Sequence, residues 1–304
     1  MNAVELSGVT KVDEGGAILD SVSLAIPAEA FWAVVGSGPC LSALLAVASG
    51  RVQPDLGTSL LFGQPAHKSR KAAALIRGDS FALEFADVRT NVEARALILG
   101  LPHPARAAAE ALRAAGIDFQ GMRASECSAL ERWLARLALA LVGNPRVLCI
   151  NEPTQGLVAS DVGEFISTAR RIASARGLTL VCGTGAPDSL GCMADSYAVF
   201  DGPRLRGVTG RSALTRAGEK TYLVRTANLA KDFSALSERL FCASLAIDFD
   251  AEAGLRFIRV GGCTEMELGN ALCDLGAVVL ELRHQKCSLS ELLCEQGTGL
   301  WRRG

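Results

Sequence analysis

Apolar runs of strand length alternate with helix-length segments over the first two thirds of the chain. The run Phe31–Val35 ends at a glycine turn and predicts a buried strand, and Ser42–Ala48 predicts the helix that follows it. Three further apolar runs, each ending at a turn, predict strands at Val147–Ile150, Leu178–Cys182 and Tyr197–Phe200. Strands that are apolar throughout and separated by helices predict an α/β layer with a largely parallel central sheet.

The pattern changes near Gly218, beyond which strands and helices follow one another at shorter intervals. The predicted elements are a strand (Tyr222–Arg225), a helix (Phe233–Phe241), a hairpin (Ser244–Phe249 with Leu255–Val260), a helix (Glu265–Leu275), a strand (Val278–Leu282) and a last helix from Ser288. This β-α-β-β-α-β order predicts a small ferredoxin-like α+β domain. We therefore expect one domain over residues 1–215 and a C-terminal domain over residues 219–304.

Composition excludes some classes of protein. The 304 residues include 31 Lys and Arg against 32 Asp and Glu, so the formal net charge is -1. This balance argues against binding to nucleic acid through bulk charge, and no nucleic-acid partner is expected. The 10 cysteines form no CxxC pair and the 3 histidines lack the spacing of a zinc site, so no metal site is predicted.

The sequence predicts neither a signal peptide nor a membrane span. Its first residues lack a basic region followed by an apolar one. The longest nearly apolar stretch, Leu134–Val142, is interrupted by Arg136 and is far shorter than the ~20 residues that a membrane span needs. Together with the scattered cysteines, this predicts a reduced, cytoplasmic protein without direct membrane insertion.

Three motifs follow one another along the chain: Leu19–Leu24, then Pro54–Gly57 with Leu61–Gly63, and then Gly143–Leu148 with Glu152–Leu157. In this order they resemble, in turn, the early strand, the PDxG hairpin and the segment through the Walker B motif of the nucleotide-binding subunit of ABC transporters. The resemblance implies a P-loop NTPase-like domain with a mixed sheet and a helical subdomain over the first 210 residues or so.

The tail carries a second resemblance. Leu280–Arg283 followed by Ser288–Leu292 is similar to the C-terminal extension of ATPases that serve ABC-2-type exporters. This implies a membrane permease as a partner. It also implies a location in the cytoplasm or peripherally on the inner face of the cytoplasmic membrane.

The phosphate-binding loop implied by the resemblance departs from the family pattern. It comprises Gly36, Ser37, Gly38, Pro39, Cys40, Leu41 and Ser42. The family's lysine aligns with Leu41 and the glycine before it aligns with Cys40, while Pro39 removes a backbone N–H. A leucine supplies no charge to offset a triphosphate, so this nucleotide site is predicted to be degenerate. The alternative is a tight strand-to-helix turn with Pro39 at the first helical position, which leaves at most a weak anion site at the helix N-terminus.

The other family motifs change as well. In Walker B, Asn151 replaces the Asp that would approach Mg²⁺, and Glu152 remains as a vestigial catalytic candidate. Gly185 stands where the resemblance implies a switch histidine. The glutamine expected after Ala74–Ile76 is missing, since no Gln occurs between Gln64 and Gln120.

The implied signature loop consists of Ser128, Ala129, Leu130 and Glu131. Its serine is kept and both glycines are replaced, so that Leu130 would intrude where backbone must approach a phosphate. The alternative is structural, because Ser128 and Glu131 have the spacing of a capping box. We expect the box to begin a helix that continues through Trp133 and Leu141.

These features predict an ATP-binding-cassette-like subunit of an ABC-2-type export system that does not hydrolyse ATP. Its expected partners are a permease, which docks on the helical segment around Arg77 to Leu101, and a second, intact ATPase. No cofactor is expected, and ATP with Mg²⁺ would bind only if the degenerate site retains affinity. Two alternatives remain: a soluble interaction or regulatory module no longer tied to transport, and an ABC ATPase with an unusual but active site.

Overall fold

The computed structural model describes residues 1–78, 83–153, 156–218, 221–240, 244–250, 254–284, 289–290 and 293. They form two compact units, the first spanning Met1–Val208 and the second beginning at Thr209. The second unit therefore begins nine residues before Gly218, where the sequence pattern changes.

The first unit contains two sheets. Its strands are β1 (Asn2–Asp13), β2 (Gly16–Pro27), β3 (Phe31–Val35), β4 (Leu56–Leu61), β5 (Gln64–Pro65), β6 (Ala73–Ile76), β7 (Val147–Asn151), β8 (Thr179–Thr184), β9 (Ser196–Asp201) and β10 (Arg204–Gly210). The central sheet has the order β10-β9-β3-β8-β7-β6, and β3, β6, β7, β8 and β9 pair in parallel. This confirms the predicted parallel sheet, and β3 is buried along its whole length.

The second sheet is antiparallel and has the order β2-β1-β4-β5. Its β4–β5 hairpin turns at Phe62 and Gly63, which both have positive φ, of 50° and 76°. Positive φ is favourable for glycine, so Gly63 suits this turn, whereas Phe62 adopts the same conformation as a non-glycine residue. The predicted hairpin is confirmed.

The helices of the first unit are α1 (Pro39–Ala48), α2 (Val88–Ile98), α3 (Pro104–Ala114), α4 (Ala129–Leu141) and α5 (Ala159–Arg176), with 3-10 turns at Arg70–Ala72 and Pro187–Met193. Helix α1 packs between the two sheets and contributes Leu41, Leu44 and Leu45 to the main apolar core. Helices α2, α3 and α4 pack against one another. The helix predicted at Ser42–Ala48 thus begins three residues earlier, because Pro39 suits the first turn, where no backbone N–H is needed.

The second unit contains α6 (Arg211–Gly218), β11 (Thr221–Thr226), α7 (Leu229–Arg239), β12 (Ser244–Asp250), β13 (Leu255–Gly261), α8 (Glu265–Asp274) and β14 (Val279–His284). Its strands form an antiparallel sheet of order β12-β13-β11-β14. Helix α7 begins before the predicted Phe233, because the side chain of Asn228 accepts a hydrogen bond from the backbone N–H of Lys231 at 3.4 Å. Phe241 and the start of the predicted last helix at Ser288 lie outside the described residues.

In the part of the chain that the structure describes, no helix has both the length and the apolar character needed to cross a membrane.

Candidate functional site

Three parallel strands bring the predicted site residues to one edge of the central sheet. Strands β3, β8 and β7 are neighbours, so the segments that follow them meet at their carboxyl ends. The backbone N–H of Gly36 donates to the carbonyl of Thr184 at 3.3 Å, and that of Glu152 donates to the carbonyl of Gly183 at 2.8 Å. The phosphate-loop, Walker B and switch positions are therefore neighbours.

The predicted phosphate loop forms a tight strand-to-helix turn. Gly38 is the N-cap of α1 with φ of 71°, and Pro39 is the first helical residue. The thiol of Cys40 donates to the carbonyl of Ser37 at 3.1 Å, and burial raises its pKa. The side chain of Leu41 is 1% exposed and belongs to the apolar core. The predicted strand-to-helix turn with Pro39 at the first helical position is thus confirmed, and the side chain aligned with the family's lysine lies in the core.

Ser42 and Asn151 are in direct contact. The amide Nδ2 of Asn151 donates to the hydroxyl Oγ of Ser42 at 3.0 Å, and its buried Oδ1 has no hydrogen-bond partner among the described residues. Mg²⁺ prefers charged oxygen ligands, whereas the Asn151 amide is neutral in either orientation. Among the described residues, no cluster of three or more His, Cys, Asp and Glu could hold a metal. The residues at this position therefore do not fit the Mg²⁺ that the family resemblance implies.

Glu152 contacts the switch position. Both of its carboxylate oxygens accept from the backbone N–H of Gly185, at 3.1 and 3.2 Å, and its own φ is 49°. A side chain at Gly185 would begin 3.3 Å from the carbonyl oxygen of Gly36 and 3.5 Å from Oε1 of Glu152. A larger residue at position 185 would therefore compete with this contact.

The predicted signature loop forms the start of α4. Oγ of Ser128 accepts from the N–H of Glu131 at 3.3 Å, and Oε2 of Glu131 accepts from the N–H of Ser128 at 2.7 Å. The capping box is confirmed. Leu130 is half-buried, while Ala129 reaches the same cleft as Ser42.

A cleft of about 740 Å³ joins these segments. Its described lining comprises Gly38, Ser42, Arg77, Gly78, Ala129, Arg132, Trp133, Arg136, Asn151, Glu152 and Gly156. The structure thus brings together five of the predicted site residues: Gly38, Ser42, Ala129, Asn151 and Glu152. Gly36, Ser37, Cys40, Leu41, Ser128, Leu130, Glu131 and Gly185 are not part of this lining. Below, this space is called the arginine cleft.

The sequence-based prediction missed the three arginines of the arginine cleft. Arg77 directly follows β6, at the place where the family's glutamine was sought. Arg132 and Arg136 share a face of α4 with Ala129, because residues three, four and seven positions apart lie on one side of a helix. This spacing is visible in the sequence, but only the fold shows that the shared face is directed at Ser42 and Asn151.

Comparison with known proteins gives relatives that are ATP-binding proteins of transport systems. The chain is 28% identical over 217 residues to an arabinose import ATP-binding protein of Burkholderia ambifaria, a match that covers 67% of this chain and 43% of that protein. The chain therefore spans less than half of that relative's length. It is 31% identical over 198 residues to an aliphatic sulfonates import ATP-binding protein of Pseudomonas putida, covering 64% of this chain and 72% of that protein.

A solved structure agrees with the fold. The ABC transporter subunit cbiO1 of Clostridium perfringens superposes with a TM-score of 0.64 at 21% identity, covering 70% of this chain and 90% of that one. No protein-family model matches the sequence. The sequence match extends over most of the sulfonate import protein, and the superposition agrees with the parallel sheet and with the arrangement of its strand ends. The chain belongs to the ATP-binding proteins of ABC transporters.

Proposed function

We propose that this chain is a non-hydrolysing subunit of an ABC-2-type export system. In this proposal it acts as a structural or regulatory partner of a second, intact ATPase and of a membrane permease. It would lie in the cytoplasm, held peripherally at the inner face of the membrane by that permease. Its nucleotide motifs are degenerate, so the chain would serve the export system through its fold and not through ATP hydrolysis.

The observation that carries the proposal is the state of the phosphate loop. Leu41 is 1% exposed in the apolar core, so the position aligned with the family's lysine offers no cation to a phosphate. Asn151 donates a hydrogen bond to Ser42 in place of a carboxylate that would face a metal ion. Hydrolysis of a nucleoside triphosphate depends on electrostatic stabilisation by a cation at the phosphates and a carboxylate at the metal ion. Both groups are missing from these positions.

The export assignment rests on the C-terminal unit. We assign it a ferredoxin-like fold, because β12-β13-β11-β14 is the sheet order expected when two β-α-β units interleave. The resemblance of Leu280–Arg283 and Ser288–Leu292 to the extension of ABC-2-type ATPases supports export. The two sequence relatives named above are import proteins, and their matches leave about a third of this chain uncovered.

Steady-state phosphate release with Mg²⁺-ATP tests the loss of hydrolysis. We expect the full chain to release no phosphate above the buffer rate, since removal of even one electrostatic contact lowers a rate by about 10²–10³. The matched control is Glu152→Gln, which should give the same rate as the unchanged chain. Phosphate release that Glu152→Gln abolishes would instead identify an active ATPase with an unusual site.

A further inference from the structure

Strand β14 forms one edge of the sheet of the second unit. It pairs with β11 on one side, and no described strand pairs with its other side. In an antiparallel sheet, about half of the backbone N–H and C=O groups of an edge strand point away from its neighbour and can bond another strand. We propose that β14 pairs antiparallel with β14 of a second copy of this chain, which joins the two sheets into one. The pairing does not involve the nucleotide motifs and so goes beyond the proposed function.

The apolar side chains of β14 lie outside the core of their own unit. Val279, Leu280 and Leu282 are 40%, 53% and 43% exposed. The buried cluster of this unit comes mainly from β11, β13, α7 and α8, and it includes no described residue of β14. Natural edge strands are often protected from pairing by lysine or proline, and β14 contains neither. Exposed apolar residues of this kind are typical of a surface that a partner covers.

The charge pattern of β14 favours a second copy as that partner. Glu281 and Arg283 flank Leu282 and have opposite charges. In an antiparallel pair centred on Leu282, Glu281 of each copy lies opposite Arg283 of the other copy, and the two Leu282 residues lie opposite each other. Opposite charges at directly opposed positions stabilise a pair of strands, whereas like charges destabilise it. The sequence of β14 is therefore complementary to itself.

The contacts within one copy are compatible with this pairing. Glu281 accepts a hydrogen bond from Nε of Arg225 at 3.3 Å and a further one from Arg283. The guanidinium of Arg283 lies 4.8 Å from the ring centroid of Phe257. A carboxylate accepts several hydrogen bonds, so Glu281 can contact the arginine of a second copy as well. The pairing therefore adds contacts to this charged group without breaking those that it already has.

The opposite edge of the sheet lacks this complementarity. Strand β12 is also an edge strand, and its Ile247 and Phe249 are 50% and 62% exposed. It contains aspartate but no basic residue, so no antiparallel register of two β12 strands places a carboxylate opposite a cation. Asp248 instead forms an ion pair with Arg259 of β13 at 3.7 Å. We therefore assign self-association to β14 and use β12 for the control variant.

Sedimentation equilibrium of the full chain, without nucleotide, tests the association. We expect a dimer whose population rises with protein concentration. Leu282→Lys should raise its dissociation constant roughly tenfold or more, because two lysines would face each other at the centre of the pair. Phe249→Lys, at an exposed apolar position on the other edge, is the control and should leave the dimer unchanged. Thermal unfolding of both variants establishes that each one is folded.

Exchange of charges tests the register. Arg283→Glu alone and Glu281→Arg alone each place like charges opposite each other, so each variant should lose the dimer. A mixture of the two variants should associate again, because every carboxylate then faces an arginine. Both variants lose the contact between residues 281 and 283 within one copy, so a purely structural role of that contact predicts no recovery on mixing.

A cross-link provides a measurement that does not depend on charge. Opposed Cα atoms in an antiparallel pair are about 4.5–5.5 Å apart, which a disulfide can span. Oxidation with copper phenanthroline should therefore link two chains of Leu282→Cys, and the unchanged chain with its 10 native cysteines gives the background. A chain that stays monomeric at every concentration, a dimer that requires Mg²⁺-ATP, equal dimerisation by Leu282→Lys and the unchanged chain, or no recovery on mixing the charge variants would overturn the inference.

Discussion

Leu41 packs in the apolar core at the position where the family resemblance implies a lysine that binds phosphate. Its side chain lies in the core formed by α1 and the two sheets. Gly183 on β8 lets α1 approach this closely, since an added Cβ there would lie 3.0 Å from Cδ1 of Leu45 and 3.7 Å from Cβ of Leu41. The first turn of α1 is therefore built for apolar packing against the strand.

Leu41→Lys should destabilise the protein and not create a Mg²⁺-ATP site. A buried ammonium without a partner is costly, and we expect the free energy of unfolding to fall by about 3 kcal/mol or more. Urea denaturation measures this loss. Leu41→Met is the control and should cost less than about 1.5 kcal/mol, because it conserves volume. A Leu41→Lys protein of unchanged stability that binds Mg²⁺-ATP would contradict the placement of this side chain.

At the scale of elements, α4 has two roles. Its capping box satisfies backbone groups at its N-terminus, and the face that carries Arg132 and Arg136 lines the arginine cleft. Trp133, which also lines this cleft, packs against Phe165 of α5 with ring centroids 5.3 Å apart and ring planes inclined at 52°. The capped start of α4 and the arginines that line the cleft are thus parts of one helix.

Ser128→Ala should lower the free energy of unfolding by about 1 kcal/mol, since the Glu131 N–H then loses its acceptor. Ser128→Asp keeps an acceptor at the N-cap and should cost little. Chemical denaturation followed by tryptophan fluorescence compares the two variants. Equal destabilisation by Ala and Asp would show that the hydroxyl has a role other than capping.

The buried strands and the capping box could be predicted from the sequence, because each depends on local pattern. Val147–Asn151 is buried on both faces over most of its length and so has no polar alternation. Ser128 and Glu131 interact three residues apart. The long antiparallel strand Asn2–Asp13 was not predicted, since its burial alternates irregularly, with register shifts along its pairing to β2.

The candidate site could be predicted only in part. The family resemblance identified Asn151, Glu152 and Gly185 as site positions, and the structure shows that the order of the parallel strands brings them side by side. The arginine cleft could not be predicted, since Arg77 and Arg136 are far apart in the sequence and the packing of α4 beside β6 brings them together.

At the scale of the whole molecule, two large apolar side chains at the end of α2 are exposed, Leu97 at 64% and Ile98 at 74%. They belong to the segment from Arg77 to Leu101 that we predict to dock on a permease. Exposed apolar side chains that lie together are typical of interaction surfaces.

Purification of the tagged chain from its native host, with membranes solubilised in detergent, should recover a permease and a second ATPase. Ile98→Asp should lose the permease, because a carboxylate would be buried in that contact. Met266→Asp, at a 75% exposed position in α8, is the matched control and should retain both partners. Recovery of the tagged chain alone would favour the soluble regulatory module.

The position of β3 in the sheet also constrains the order in which the chain can fold during synthesis. Trp32 on β3 pairs with Val181 on one side and with Ser196 on the other, so both neighbours of this central strand come from far along the chain. Contacts so distant in sequence form slowly, whereas the antiparallel sheet of β1, β2, β4 and β5 lies entirely within the first 65 residues. Until the ribosome has made β8 and β9, the apolar segment of β3 lacks both of its sheet neighbours, and an unpaired apolar strand of this kind favours aggregation of the nascent chain.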